Sequence, residues 1–226
     1  MWLAIDTATD QASVALGLAG VVLGQESIAG ARRHASGLLP AIERCLTQAG
    51  AGFGEIEGVI LADGPGSFTG LRVGASVAKA LIRARPMPLW VAPSLLVCAA
   101  SAGAAAQETV LAVSNALRGE LFAAAYRMRA GSIETVLAPS VLTPDQILGR
   151  VVAPYRLAGP SAGVLGGQPS WPDARALLAL VGLAGGVRAV SDAARWEPEY
   201  GRPAEAQAKW EREHGRPLAD PARAHG

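Results

Sequence analysis

The spacing of apolar residues changes several times along this chain, and each change marks an element. Trp2 to Ile5 is a short apolar run ending in the turn-forming cluster Asp6-Thr7-Ala8-Thr9-Asp10. Ser13 to Leu18 and Val21 to Ile28 read as two further strands around a turn at Gly20, so the opening predicts an antiparallel meander. From His34 to Ala49 the period lengthens. Leu38, Leu39, Ile42, Cys45 and Leu46 recur three and four apart, one face of a helix that Gly50 and Gly52 end. Val59-Ile60-Leu61-Ala62 is unbroken apolar, the pattern of a strand buried on both faces. Asp63 to Gly70 follows as a glycine-rich loop, with a helix from about Thr69 to Ala84 that Thr69 or Ser67 can cap. Leu89-Trp90-Val91 is a short strand, and Ser94 is placed to N-cap a helix through Ala100. Strands and helices in this order imply a mixed sheet with crossover helices.

Small, bland residues from Ala102 to Gln107 suggest a lobe boundary. Beyond it, Thr109 to Ser114 and Glu120 to Arg127 are apolar strands on either side of Asn115-Ala116-Leu117-Arg118-Gly119, and Ile133 to Leu137 is another. Thr143-Pro144-Asp145 opens a short helix with a cap and a first-turn proline. Tyr155 to Ala158 can form a strand, Gly159 to Pro172 is loop-like, Asp173 to Ala184 is helical by composition, and Glu205 to His214 is a polar helix. Two successive β/α units of similar order predict a duplicated fold. The first lobe is expected over 1–103 and the second over 104–194, with a terminal helix at about 195–226 folding back on the first lobe.

Composition narrows the function classes. Half of the 226 residues are hydrophobic and 17% are charged, enough apolar material for a sizeable core. Lys and Arg total 20 against 19 for Asp and Glu, a net charge of +1, which argues against a domain that coats nucleic acid by charge alone. All the basic residues except Lys79 and Lys209 are arginine, which with the abundant alanine reads as a coding bias. Cys45 and Cys98 stand alone in apolar helical stretches, as buried small hydrophobes in a reducing compartment would. No basic region precedes Asp6, and no apolar run reaches the ~20 residues of a membrane span, so a soluble cytoplasmic protein is expected.

Gly64-Pro65-Gly66-Ser67-Phe68-Thr69-Gly70-Leu71-Arg72-Val73-Gly74 is the most informative stretch. It can turn tightly after the buried strand and offer free N–H groups at a helix start, but it lacks the spacing and lysine of a P-loop, and Asp63 would repel phosphate. Within the helix, Gly70, Gly74 and Ala78 recur every four residues, flanked by Val77 and Leu81. So small a strip serves either packing against the chain's own sheet or close approach by a second subunit. His34, His214 and His225 form no metal-binding pair, and no metal site is assigned. Gly159-Pro160-Ser161-Ala162-Gly163 matches the hydrolase-elbow pattern around Ser161, though the helix such an elbow needs does not follow.

Several of these stretches together resemble the TsaB (YeaZ) family. They are Ala4-Ile5-Asp6-Thr7-Ala8-Thr9, His34 with Leu38-Leu39-Pro40, the whole Gly64 to Gly74 motif, Leu111-Ala112-Val113 running to Arg118-Gly119-Glu120-Leu121-Phe122, and Glu197-Pro198-Glu199-Tyr200. The resemblance spans nearly the whole chain. It implies a two-lobed, actin-like (ASKHA, sugar-kinase-like) α/β fold. It also implies a role beside a TsaD-type catalytic subunit that places threonylcarbamoyl on N6 of adenosine 37 in tRNAs reading codons that begin with A. A TsaE-type ATPase joins such a complex, tRNA is met indirectly, and ATP with Mg2+ is used by the complex, with no cofactor bound tightly here. The family's contact uses its first two helices, which implies an interface of Leu38, Leu39, Ile42, Leu46, Gly70, Gly74, Val77, Ala78 and Leu81, and a homodimer when the chain is alone. On that reading Gly74→Leu weakens pairing without unfolding the chain.

In actin-like kinases the first hairpin wraps the phosphates, which makes Asp6, Thr7 and Thr9 candidate contacts of a degenerate nucleotide site; the alternative is a simple Asx turn. Many relatives carry an acid where this chain has Asn115, an uncharged and weaker metal ligand, and Gly159 to Trp171 looks shortened. No catalytic residue is assigned. Two other functions stay open: an active phosphotransferase using Asp6, and a serine hydrolase or peptidase using Ser161. For tRNA the candidate cations are Arg32, Arg33, Arg195, Arg202, Lys209, Arg212, Arg216 and Arg223, largely cancelled in the tail by glutamates.

Overall fold

Trp2–Asp6 (β1) runs through the middle of a six-stranded sheet, in a computed structural model that describes residues 1–18, 20–30, 33–103 and 105–202. It pairs antiparallel with Gln11–Leu18 (β2) and parallel with Gly58–Ala62 (β4), so Leu3 faces Leu16 on one side and Val59 on the other. Val21–Ala29 (β3) forms one edge; Leu89–Ala92 (β5) and the two-residue strand Arg188–Ala189 (β10) complete the other. The period of two divides the apolar side chains between faces. Leu3, Ile5, Val14, Leu16, Val59 and Leu61 take one, and Ala4, Ala15, Ile60 and Ala62 the other.

Two helices cover the first face. His34–Ala49 (α1) buries Leu38, Ile42 and Cys45 there, and stops at Gly50, whose left-handed conformation (φ +62°) lets its N–H reach the carbonyls of Leu46 and Thr47. Burial of each large apolar side chain contributes about 1.5–3 kcal/mol, more than any cap, so the apolar stripe decides this helix. Phe68–Ala84 (α2) begins where the Ser67 hydroxyl accepts from the Gly70 N–H at 3.2 Å.

Thr109–Asn115 (β6), Leu121–Arg129 (β7), Ser132–Leu142 (β8) and Arg156–Ala158 (β9) build a second sheet in the order β8-β7-β6-β9. Two antiparallel pairings lead into Pro144–Arg150 (α4), whose Thr143 and Gln146 close a capping box, and β9 then pairs parallel with β6. The first sheet makes the same sequence of moves from β1 to β4, so β4-β1-β2-β3 and β9-β6-β7-β8 are one topology used twice. Ser94–Ser101 (α3) and Ala174–Leu180 (α5) lie between the two sheets. Their Leu95, Leu96, Leu177 and Leu178 share one core with Ala4 and Ile60 of the first sheet and with Val110, Phe122 and Tyr126 of the second.

The structure revises several expectations. Within the stretch expected in the second lobe, α5 packs on β1 and β2, the Ala174 N–H donates to Ser13 Oγ at 2.9 Å, and β10 pairs with β5. The helix expected through Ala184 ends at Leu180, with Gly182 in a positive-φ conformation. β8 runs past Leu137 to Leu142 because it is an edge strand, where Pro139 removes no needed ladder bond and a register shift absorbs it. The expected Glu205 to His214 helix lies outside the described residues. Among the described residues no helix is long and apolar enough to cross a membrane.

Candidate functional site

α1 and α2 lie side by side, and the sheet beneath them decides which side chains remain accessible. Leu38, Ile42, Gly70, Gly74 and Ala78, read from sequence as docking residues, all point inward. A Cβ added at Gly74 would sit 2.5 Å from Thr7 Oγ1 and 3.1 Å from Leu61 Cδ1, and one at Gly70 would strike the Thr7 carbonyl oxygen. The small strip therefore admits β1 and the turn after it, not another subunit, and Gly74→Leu would disturb the fold before it disturbed pairing. Accessible surface remains at Leu39, 51% exposed in the first half of α1, and at the half-buried Leu46, Val77 and Leu81. Leu39 and Leu46 are seven residues apart and so share a helix face, as do Val73 and Val77 at four apart. Thr69, Ser76 and Ala80 beside Val73 and Val77 are exposed and uncharged, while the exposed Glu43 lies between Leu39 and Leu46 on their face of α1.

The other flank of α2 is covered by the chain itself. The ring of Tyr200 packs on Phe68 with centroids 4.6 Å apart, and the Arg72 guanidinium lies 4.2 Å from the Phe68 centroid. One helical stretch further on, Lys79 pairs with Glu197 at 3.0 Å and lies 5.8 Å from the Trp196 centroid. Glu197-Pro198-Glu199-Tyr200 carries the family resemblance in sequence, but nothing local in it signals this contact.

The ends of β1 and β6 carry matching turns. Asp6 Oδ1 accepts from the Ala8 N–H at 2.9 Å, and Asn115 Oδ1 accepts from the Leu117 N–H at 2.7 Å. The loops after the two parallel strands match as well. Gly64 (φ +114°) donates its N–H to Ser94 Oγ, and Gly159 (φ +110°) donates to Ser170 Oγ, each at 2.8 Å. Ser94 is thus the clamp of the Gly64 turn and the first residue of α3, not its N-cap, which is Pro93. The elbow-like Gly159-Pro160-Ser161 is the second lobe's counterpart of Gly64-Pro65-Gly66. Ser161 precedes a short 3-10 turn, Ala162–Leu165, instead of the helix a nucleophile elbow needs. The one histidine among the described residues, His34, is buried on α1 with its Nε2 3.3 Å from the Asp10 carbonyl oxygen. His214 and His225 lie outside the described residues.

Asp6 and Thr7, read from sequence as candidate phosphate contacts, have no exposed surface in this arrangement, and the Thr9 hydroxyl is engaged with the Gln11 backbone. Asp6 Oδ2 and Thr7 Oγ1 are buried without hydrogen-bond partners. Burial pushes the Asp6 carboxyl up to about 7, the Ala8 N–H opposes the rise, and Asp173 adds to it. Asp63, at the end of β4, is pushed up to about 6 by burial, against the pull of Arg188, whose Nη2 lies 2.7 Å from Asp63 Oδ2. Among the described residues no three His, Cys, Asp or Glu side chains could hold a metal ion. Of the candidate tRNA cations, Arg33 is exposed, Arg195 pairs with Asp192 at 3.7 Å and Arg202 pairs with Glu120; Arg32, Lys209, Arg212, Arg216 and Arg223 lie outside the described residues.

Known proteins share this arrangement. Residues 23–162 match the family model of TsaD, the tRNA N6-adenosine threonylcarbamoyltransferase. Over 176 residues the chain is 34% identical to the tRNA threonylcarbamoyladenosine biosynthesis protein TsaB of Escherichia coli (strain K12), covering 76% of this chain and 73% of that protein. The chain belongs to the TsaB (YeaZ) family. A TsaB from Bacillus subtilis (strain 168) is 28% identical over 144 residues, covering 64% of this chain and 60% of the relative. The solved structure of YeaZ from Pseudomonas aeruginosa superposes with a TM-score of 0.74 at 29% identity, covering 88% of this chain and 98% of that one. Family and architecture together make this an actin-like, two-lobed α/β protein.

Proposed function

We propose that this TsaB-family chain serves tRNA threonylcarbamoyladenosine biosynthesis as a dimerising, non-catalytic subunit. Its partner is a TsaD-type subunit that adds threonylcarbamoyl to N6 of adenosine 37 in tRNAs reading codons that begin with A. The observation that carries the reading is the exposed flank of α1 and α2 around Leu39, Val73 and Val77, with Glu43 the charge between Leu39 and Leu46 on their face of α1, left open while the opposite flank of α2 is covered by residues 196–200. Docking there would brace the partner's lobes. A TsaE-type ATPase joins through the complex, tRNA is met indirectly, and ATP with Mg2+ is handled by the complex and not by this chain. The same flank pairs two copies when no partner is present. Two free, buried cysteines support a reducing, cytoplasmic setting.

Leu39→Arg tests this reading, because a half-exposed position accepts arginine without a core penalty while a docked one does not. Sedimentation of the variant mixed with a TsaD-type protein should show at least a tenfold loss of affinity with the melting midpoint unchanged, and reconstituted modification of adenosine should fall with it. Undiminished pairing refutes the docking flank. The phosphotransferase alternative has Asp6 in its favour, but a carboxyl with no exposed surface meets no phosphate. Product formation from ATP by the isolated chain would reinstate it.

A further inference from the structure

The turn Gly64-Pro65-Gly66 stands where the two lobes meet, and it is roofed by the chain's own residues. The Glu199 N–H donates to the Asp63 carbonyl at 2.7 Å, and the Glu199 carbonyl occupies the space a Gly64 Cβ would need. Two residues on, Gly201 (φ +71°) is wedged between the lobes: a Cβ there would lie 2.6 Å from Phe122 Cε1 of β7 and 2.7 Å from Pro65 Cβ. Arg202 then pairs with Glu120, which precedes β7. On the first lobe the same segment is fastened to α2 through Tyr200 on Phe68 and Arg72, and through Glu197 on Lys79. So seven residues bind one helix of the first lobe, the end of its central parallel strand, and the hairpin of the second lobe.

We infer that Trp196–Arg202 is a closed strap, a built-in occupant of the mouth between the lobes that braces them together and shuts the Gly64–Gly66 turn against phosphate-bearing ligands. The strap acts by shape at Glu199 and Gly201, since Gly64 beneath Glu199 and Gly201 itself are in conformations and spaces that admit no side chain, and by charge and stacking at Trp196, Glu197, Tyr200 and Arg202. Its anchors Phe68, Arg72 and Lys79 lie on the flank of α2 away from Val73 and Val77, so the inference stands whether or not a TsaD-type partner docks on the open flank.

Hydrogen exchange on the full chain, read by mass spectrometry, tests the strap. Gly201→Val cannot fit between Phe122 and Pro65, and should open it. The amides of Gly64, Ser67 and Glu199 should then exchange at least tenfold faster, while those of β1 and β2 keep their protection. Tyr200→Ala, which removes one anchor and adds no bulk, should produce the same pattern more weakly and covers the event that Gly201→Val does not fold. Unchanged exchange at Gly64, Ser67 and Glu199 in the folded variants overturns the inference. So does saturable binding of Mg2+–ATP to the wild-type chain while the Glu199 amide stays protected.

Discussion

Replacing Asp6 by asparagine should remove a pH dependence that the fold imposes on itself. The Asp6 carboxyl is sealed at the end of β1 with Oδ2 unpartnered, and burial raises it from 3.8 to about 7. Below pH 3.8 both the folded and unfolded chains hold the proton, and the group contributes nothing to the difference. Between there and pH 7 the unfolded chain releases its proton and the folded chain does not, so stability falls as pH rises through that window. Above pH 7 the loss is complete. A gap of about three pH units, at ~1.36 kcal/mol each, gives a total of roughly 4 kcal/mol. Asparagine keeps the oxygen that accepts from the Ala8 N–H and sets an uncharged NH2 where the protonated oxygen stood. That NH2 is also unpartnered, at a cost of about 1–3 kcal/mol, which the protonated carboxylic acid shares in part. At pH 5 the variant should therefore fall about 1–3 kcal/mol closer to wild type, or below it, than at pH 8, where it should be the more stable by roughly 1–3 kcal/mol. Urea unfolding at pH 5, 6, 7 and 8 measures the difference. Asp63, also raised, is present in both chains and cancels. Parallel stability curves for the two proteins across these pH values would refute the assignment of this window to Asp6.

Two further outcomes follow from burial. Gly74→Leu should lower stability by roughly 2–3 kcal/mol or more, because the first added carbon already meets Thr7 and Leu61; a wild-type melting midpoint by calorimetry would contradict the inward placement of the strip. Cys45 and Cys98 are buried and their thiols are pushed up to about 12, mainly by burial, so neither should react with a water-soluble disulfide reagent at pH 8 until the chain is unfolded; rapid labelling of the native protein would contradict this.

Local patterns in the sequence determined much of this protein. The three-and-four spacing from Leu38 to Leu46 with a following glycine defined α1 at His34–Ala49, and the unbroken Val59 to Ala62 run defined a strand buried on both faces. Periodicity and turn chemistry act over a few residues, so they are legible without the fold. The glycine motif and the strand-end turns could likewise be read, and with them the family. Tertiary structure alone decided which neighbour each element received. Gly70, Gly74 and Ala78 would suit any close neighbour, and only the sheet set Thr7 above them. Ser161 fits a nucleophile pattern until the second lobe is seen to repeat the first. Asp63 finds Arg188 at a separation of 125 residues, and Gly64 lies under Glu199. Contacts so distant in sequence are set by the packing of whole layers, and no short stretch of chain encodes them.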